Sequence, residues 1–261
     1  MLRATFILCQ FHFWRLCFSK RLLVCLVVSA LPVAAAFVVK TISPYVGPPP
    51  AIELAWFLIV QFVVPILALI LGSAVVAEEV EDRTITFLFT RPIPRMTILL
   101  GRWLASLIVL GVLLTACVLL TVNFLGESAA GNQEHALPDG SVAALCQVAL
   151  VGGVVYSALF AACGALVRRP IILGLGYTFA VEAFLGSLPG KNQALTIQYY
   201  LRSYLCGQSE AILARIEQLT NGRSIELVTP GDALLTMLYV LLVALVAGCW
   251  AISRRQYVLT S

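Results

Sequence analysis

Long apolar stretches fill most of this 261-residue sequence, and only short polar connections separate them. Charged residues make up 11% of the chain, less than half of the roughly 25% that soluble domains carry. A helix needs about 20 mostly apolar residues to cross the hydrocarbon core of a bilayer. Because lipid offers the backbone no hydrogen-bond partners, spans of this composition are helical. The sequence therefore predicts an all-α polytopic membrane protein with a single transmembrane domain over residues 1–261.

Six segments are predicted as transmembrane helices. They run over residues 22–42, 56–77, 98–125, 142–167, 171–188 and 232–252. The third is long, which a tilt or a projection beyond the bilayer accommodates. The fifth is short and contains Gly174, Gly176 and Gly186. For that segment, a broken or re-entrant helix is the alternative to a full span.

A ridge of small side chains marks the predicted fourth span. One small residue recurs every four positions, at Ala149, Gly153, Ser157, Ala161 and Ala165. Small residues at this spacing let two helix backbones approach closely within a membrane. We therefore expect this ridge to pack against a neighbouring helix.

The 17 Lys and Arg residues are distributed unevenly between the two sides of these spans. If the N-terminus is cytoplasmic, twelve of them lie inside, and only five lie outside: Lys40, Lys191, Arg202, Arg215 and Arg223. The reverse orientation would put the pairs Arg168-Arg169 and Arg254-Arg255 outside. Since cytoplasmic loops are enriched in Lys and Arg, we expect both termini in the cytoplasm.

Two segments outside the predicted spans have amphipathic patterns. Residues 1–21 predict an interfacial helix in the cytoplasmic headgroup region, and a cytoplasmic extension of the first span is the alternative. Residues 189–231 form a long outer segment. Within it, the stretch SEAILARIEQLTNG, residues 209–222, places apolar residues on one helical face. This pattern predicts an outer helix that lies on the membrane or over the spans.

Eight cysteines are scattered through the chain without a C-x-x-C pair, and most of them fall in predicted spans. Cysteines in such positions usually behave as small hydrophobic residues. The sequence therefore predicts neither a metal site nor a disulfide framework.

A compact group of charges interrupts the apolar sequence after the second predicted span. Four carboxylates fall within five positions, at Glu78, Glu79, Glu81 and Asp82. Carboxylates at the carboxyl end of a helix oppose its macrodipole, whereas those at the amino end are stabilised by it. We therefore expect these acids to begin a new helix in a cytoplasmic loop over residues 78–97.

Residues 84–90 have the length and pattern of a two-turn amphipathic helix within this loop. Ile85, Leu88 and Phe89 share one face. Two prolines follow and end the helix, because proline lacks the N–H that a helix interior needs. An apolar face on the aqueous side of a membrane usually marks an interface. The loop is therefore predicted to contact a cytoplasmic partner, and the lipid surface is the alternative.

The stretch AEEVEDRTITFLFTRPIPRMTILLGRW, residues 77–103, resembles the signature of ABC-2-type transporter permeases. That signature combines an acidic cluster, a Thr-Leu segment, L-x-T-x-P-x-x-R and ILLGK. The matching positions are Glu79, Glu81, Thr84, Leu88, Thr90, Pro92, Arg95, Ile98, Leu99, Leu100, Gly101 and Arg102. Two positions depart from the pattern: Arg83 stands where the family usually has Gly, and Arg102 stands where it usually has Lys.

The resemblance implies that the loop is a coupling helix that docks on a separate ABC ATP-binding subunit. The residues to which it assigns this role are Glu78, Glu79, Glu81, Thr84, Ile85, Leu88, Phe89, Thr90, Pro92 and Arg95. It also implies a second permease subunit, either the same chain or a related one. The implied setting is a bacterial cytoplasmic membrane, and the implied direction is export of a substrate whose class stays open.

ATP hydrolysis is expected in the partner chain, which would hold ATP and Mg. This sequence contains no G-x-x-x-x-G-K-[ST] phosphate loop, the element whose backbone cradles nucleotide phosphates. We therefore expect a transporter subunit rather than an enzyme. The chain itself is expected to bind no cofactor and no nucleic acid.

Glu182 lies within the predicted fifth span. An ionisable side chain inside a span is a functional candidate, because its burial in lipid is costly. Glu182 is therefore a candidate residue of the transport pathway. The alternative is that a short or re-entrant fifth segment lets Glu182 reach water at the outer side.

Two other function classes fit parts of the sequence. Residues 78–83 spell E-E-x-x-x-R, which is similar to the first motif of CAAX-type intramembrane proteases. Those enzymes also need histidines presented from other spans, whereas His12 and His135 both lie outside the predicted spans. A non-catalytic membrane scaffold would explain the hydrophobicity. Copurification with an ATP-binding subunit distinguishes a permease from such a scaffold.

Overall fold

The structure is a computed structural model that describes residues 2–42, 54–81, 95–129, 140–167, 169–185, 191–208 and 227–254. Every regular element in these ranges is helical. The first half contains α1 (Leu2–Cys17), α2 (Lys20–Ile42), a π-helix (Trp56–Val63), α3 (Val64–Glu81) and α4 (Arg95–Ala129). The second half contains α5 (Ser141–Leu166), α6 (Pro170–Gly176), a second π-helix (Tyr177–Leu185), a 3₁₀ helix (Lys191–Leu195), α7 (Ile197–Gln208) and α8 (Pro230–Arg254).

Five helical stretches among the described residues are long and apolar enough to cross a membrane. They are Lys20–Thr41, Trp56–Val75, Met96–Leu125, Ser141–Leu166 and Pro230–Ser253. Each overlaps one of the six spans predicted from the sequence. The structure therefore confirms an all-helical architecture, and five of the six predicted spans coincide with helices that are long and apolar enough to cross a membrane.

The remaining predicted span, residues 171–188, does not reach span length in the part of the chain that the structure describes. α6 and the second π-helix contain 7 and 9 residues. At about 1.5 Å per residue they extend roughly 24 Å, less than the roughly 30 Å of the hydrocarbon core. The count of six spans is therefore not confirmed, although α6 and the second π-helix follow one another without a gap, from Pro170 to Leu185.

α7 packs inside the helix bundle, although its sequence belongs to the predicted outer segment 189–231. Leu201 and Leu205 are fully buried, and α7 contacts both α5 and α8. A Cβ atom placed on Gly152, near the middle of α5, would lie 2.9 Å from the Leu201 side chain. The predicted outer helix, residues 209–222, lies outside the described residues.

α3 is the central helix of the bundle and contacts α2, α4, α5 and α6. It approaches α5 so closely that a Cβ on Gly72 would lie 2.7 Å from the Ser157 carbonyl oxygen. A Cβ on Gly164 would lie 2.8 Å from the Ser73 carbonyl oxygen. The ridge predicted on the fourth span is buried along its whole length, which confirms its role in packing.

α1 is a separate helix, and the break before α2 has a local cause. The Ser19 hydroxyl donates to the Leu16 carbonyl at 2.8 Å and accepts the Leu22 N–H at 3.4 Å. One side chain therefore caps the end of α1 and the start of α2. This break argues against α1 as an extension of the first span. The exposed face of α1 is apolar, with Phe6, Ile7, Phe11 and Trp14 all more than half exposed; its interfacial position stays a prediction.

Candidate functional site

The Glu182 carboxylate lies in the interior of the bundle, where only 2% of the residue is exposed. Its Oε1 accepts hydrogen bonds from the Tyr177 hydroxyl at 2.8 Å and from the Ile197 backbone N–H at 3.1 Å. Its Oε2 accepts the Gln198 backbone N–H at 3.1 Å. Glu182 therefore does not extend to the surface, and it joins the second π-helix to the first turn of α7.

The start of α7 explains why a carboxylate is stable at this position. The first N–H groups of a helix have no partner within the helix, and the amino end carries a partial positive charge. Glu182 satisfies the N–H groups of Ile197 and Gln198. The Thr196 hydroxyl accepts the next one, from Tyr199, at 3.3 Å. Side chains thus satisfy three consecutive donors that would otherwise be buried without a partner.

Gln198 links the same site to the first π-helix. Its side-chain Nε2 donates to the Val60 carbonyl at 3.0 Å. In a π-helix that carbonyl would accept the N–H five residues on, but that residue is Pro65, which has none. The N–H of Val64 is itself bonded to the Ile59 carbonyl. Gln198 therefore supplies the donor that the backbone of this helix lacks at Val60.

A polar pocket of about 40 Å³ opens beside Glu182. Its lining residues are Trp56, Gln61, Glu182, Gln193, Thr196, Gln198, Tyr199 and Arg202. At roughly 10–15 Å³ for each water, this volume admits about three water molecules. The Arg202 guanidinium lies 5.9 Å from the centroid of the Trp56 ring, a cation–π distance. The pocket is thus a small polar space within an otherwise apolar bundle.

Two further polar groups are buried around this pocket. The Gln198 Oε1 and the Tyr156 hydroxyl have no hydrogen-bond partner among the described residues. The Tyr156 ring stacks on Phe160, with the ring centroids 6.1 Å apart. Buried polar atoms of this kind favour contact with water or with a polar ligand. The site therefore offers polar contacts to water or to a small polar ligand, and the described residues that line it include no pairing of a nucleophile with a base.

Three of the predicted coupling residues, Glu78, Glu79 and Glu81, lie in the last turn of α3. Our expectation that they begin a new helix is wrong, because α3 continues through them. The macrodipole penalty is only about 0.3–1 kcal/mol for each exposed charge, which is too small to end a helix. Arg95 is the first residue of α4. The other predicted coupling residues, namely Thr84, Ile85, Leu88, Phe89, Thr90 and Pro92, lie outside the described residues.

Arg102 was missed as a site residue, although it stands at a position where the sequence departs from the family pattern. Its side chain is 5% exposed, and its guanidinium donates to the Val75 carbonyl at 3.1 Å. The bond joins the carboxyl-terminal part of α3 to the first turns of α4. These two helices flank the predicted coupling loop. The sequence feature that could have identified Arg102 is its charge inside the predicted third span.

The comparison with known families assigns this architecture to a group of transporters. A family model described as "ABC-2 family transporter protein" matches residues 18–256. The chain belongs to the ABC-2 transporter family. No individual curated protein matches the sequence. The ABC-2 match covers all five candidate spans and every residue of the Glu182 site, so that site is part of a transporter membrane domain.

Membership in the ABC-2 family also bears on the choice between a permease and an intramembrane protease. It identifies the E-E-x-x-x-R stretch as part of a transporter membrane component. His12 lies before the matched region, and His135 lies outside the described residues. Membership in a transporter family therefore favours the permease over the intramembrane protease.

We predict that Glu182→Ala lowers the thermal stability of the purified protein in detergent. The substitution leaves two buried backbone N–H groups without acceptors, at a cost of about 1–3 kcal/mol for each. Glu182→Gln keeps one acceptor oxygen, so its effect should be smaller. Asp232→Ala is the matched control, because Asp232 is an exposed acid in the first turn of α8. Equal melting temperatures for Glu182→Ala and Asp232→Ala would show that the carboxylate does not anchor α7.

Proposed function

We propose that this chain is the transmembrane permease subunit of an ATP-driven exporter and works with a separate ATP-binding subunit. The observation that carries the proposal is the ABC-2 family match over residues 18–256. The sequence supports it, because it contains several apolar helices and no phosphate-binding loop. ATP and Mg are held by the partner, and the chain contributes the path through the membrane.

The proposed docking element is the loop between α3 and α4, with the short helix that the sequence predicts at residues 84–90. Two features support this role. Ile85, Leu88 and Phe89 would share one face of the predicted helix, and the flanking helices are joined by the bond from Arg102 to Val75. A displacement of the loop therefore moves α3 and α4 together. Their movement transmits the motion of the ATP-binding subunit into the bundle.

Two copies of this chain, or this chain and a related one, form the complete path in our proposal. The proposed setting is a bacterial cytoplasmic membrane with both termini in the cytoplasm. The orientation is supported by the excess of Lys and Arg on one side of the predicted spans. The direction of transport is supported by the resemblance of residues 77–103 to ABC-2-type permeases.

The Glu182 pocket is proposed as a polar part of this path. Glu182, Gln198 and Arg202 line it together, and ionisable groups inside membrane domains commonly mark solute pathways. Two hydrogen bonds from the backbone of α7 fix the carboxylate relative to that helix, and the Tyr177 hydroxyl holds it within the second π-helix. Glu182 therefore acts mainly by holding the wall of the pocket in place.

We expect Leu88→Asp and Phe89→Asp to weaken copurification with the ATP-binding subunit at moderate salt. Removing a buried apolar anchor from an interface typically costs about 2 kcal/mol or more. Arg83→Ala is the control within the same loop, since a screened charge contributes only a few tenths of a kcal/mol to about 1 kcal/mol. All three variants should insert normally because no span is changed. Unaltered binding of both Asp variants would refute the docking role of residues 84–90.

The proposed orientation has a separate test in intact cells. Single cysteines are introduced at residues 83–95 or 126–141 in a background without the native cysteines. An impermeant thiol reagent added from outside should label residues 126–141 and leave residues 83–95 unlabelled, because only the first set is predicted outside. Labelling of residues 83–95 from outside would reverse the orientation.

A further inference from the structure

An apolar groove of about 480 Å³ runs between α2 and α4 on the surface of the helix bundle. It is lined by Leu26, Ser29, Ala30, Val33, Ala34 and Phe37 of α2 and by Leu113, Ala116, Cys117, Leu120 and Phe124 of α4. Both helices contribute small side chains, such as Ala30 and Ala116, as well as larger apolar ones. The groove is separate from the polar pocket beside Glu182, since the two share no lining residue.

The length of the groove matches one leaflet of a bilayer. The two helices run parallel through it, because the Cys117 thiol donates to the Ser29 carbonyl and Phe37 contacts Phe124 further along. The lining extends from Leu26 to Phe37 on α2, a rise of roughly 16 Å at 1.5 Å per residue. Half of a hydrocarbon core of about 30 Å is about 15 Å. A single acyl chain therefore matches the lining in length, and the lining lies in the middle of the candidate span Lys20–Thr41.

The end of the groove is closed by aromatic rings and a positive charge. Phe37 and Phe124 meet edge to face, with their centroids 5.8 Å apart. The Lys40 ammonium lies 5.6 Å from the centroid of the Phe124 ring. Lys40 follows Phe37 by about one helical turn, so its charge lies just beyond the apolar lining. A cation at this position is complementary to a phosphate in the headgroup region.

The residues that line the groove leave no polar side-chain atom in need of water. The Ser29 hydroxyl donates to the Leu26 carbonyl at 2.9 Å within its own helix. The Cys117 thiol donates to the Ser29 carbonyl at 3.4 Å. Both polar side chains of the lining are thus hydrogen-bonded, and the remaining lining residues are aliphatic or aromatic. The surface favours a flexible hydrocarbon occupant.

We propose that this groove is a specific phospholipid site, with one acyl chain between α2 and α4 and the phosphate at Lys40. The proposal rests on the length of the groove, its apolar lining and the cation at its end. It requires neither an ATP-binding partner nor a direction of transport. The lipid covers the apolar surface between two spans that contact each other through Phe37 and Phe124 at one end of the groove.

The test measures lipid retained by the chain in nanodiscs that contain phosphatidylglycerol and phosphatidylcholine. After transfer into mild detergent, native mass spectrometry counts the bound phospholipids. The parent should retain one phospholipid, with phosphatidylglycerol preferred. Ala34→Phe and Ala116→Phe, which fill the groove from its exposed alanines, should reduce retention several-fold. Val112→Phe is the matched control, because Val112 is 65% exposed on α4 and does not line the groove.

The charge is tested without changing the packing. Lys40→Gln should lower the preference for phosphatidylglycerol about fivefold, the effect of one basic residue near an anionic surface. Lys20→Gln, at the opposite exposed end of α2, should leave the preference unchanged.

Three results would overturn the proposal. The first is a parent that retains no phospholipid, and the second is equal loss of lipid in Ala34→Phe and Val112→Phe. The third is dissociation of an oligomer by Ala34→Phe without loss of lipid, because the groove would then be a contact between copies of the chain. Lys40→Gln keeps the lipid assignment testable even where a Phe variant does not fold.

Discussion

The interaction on which the interior of this bundle depends is the bond between a buried carboxylate and the start of a buried helix. The first N–H groups of α7 have no partner within the helix, and those of Ile197 and Gln198 are buried. Glu182 accepts two of them and also receives the Tyr177 hydroxyl. Loss of that carboxylate would leave two buried N–H groups without acceptors, so it helps the apolar side chains of α7 to hold this helix against α5 and α8.

A second constraint, Pro65, acts on the neighbouring helix. Its missing N–H leaves the Val60 carbonyl without a backbone donor, and Gln198 of α7 supplies one. α7 is therefore bonded to the second π-helix through Glu182 and to the first through Gln198. At the other end of α3, Arg102 bonds the Val75 carbonyl. The central helix of this ABC-2 protein thus connects the polar pocket with the region of the proposed coupling loop.

The spans were predictable because length and apolar composition alone determine what can cross lipid. The sequence also singled out Glu182 as a candidate residue, since an ionisable side chain in an apolar stretch stands out. Gln198 and Thr196 were not, because their roles arise only when α7 folds back into the bundle. The acids at residues 78–81 were assigned wrongly, because continuation of an apolar helix outweighs a weak dipole effect. Local electrostatics was thus a poorer guide than hydrophobic length.

Hydrogen–deuterium exchange in nanodiscs tests the anchoring of α7 most directly. The amides of Ile197 and Gln198 are bonded to Glu182 in the interior, so they should exchange as slowly as amides in the middle of α5. Gly231, at the exposed start of α8, provides the reference for a helix end in contact with water. Exchange of Ile197 and Gln198 as fast as that of Gly231 would contradict the account.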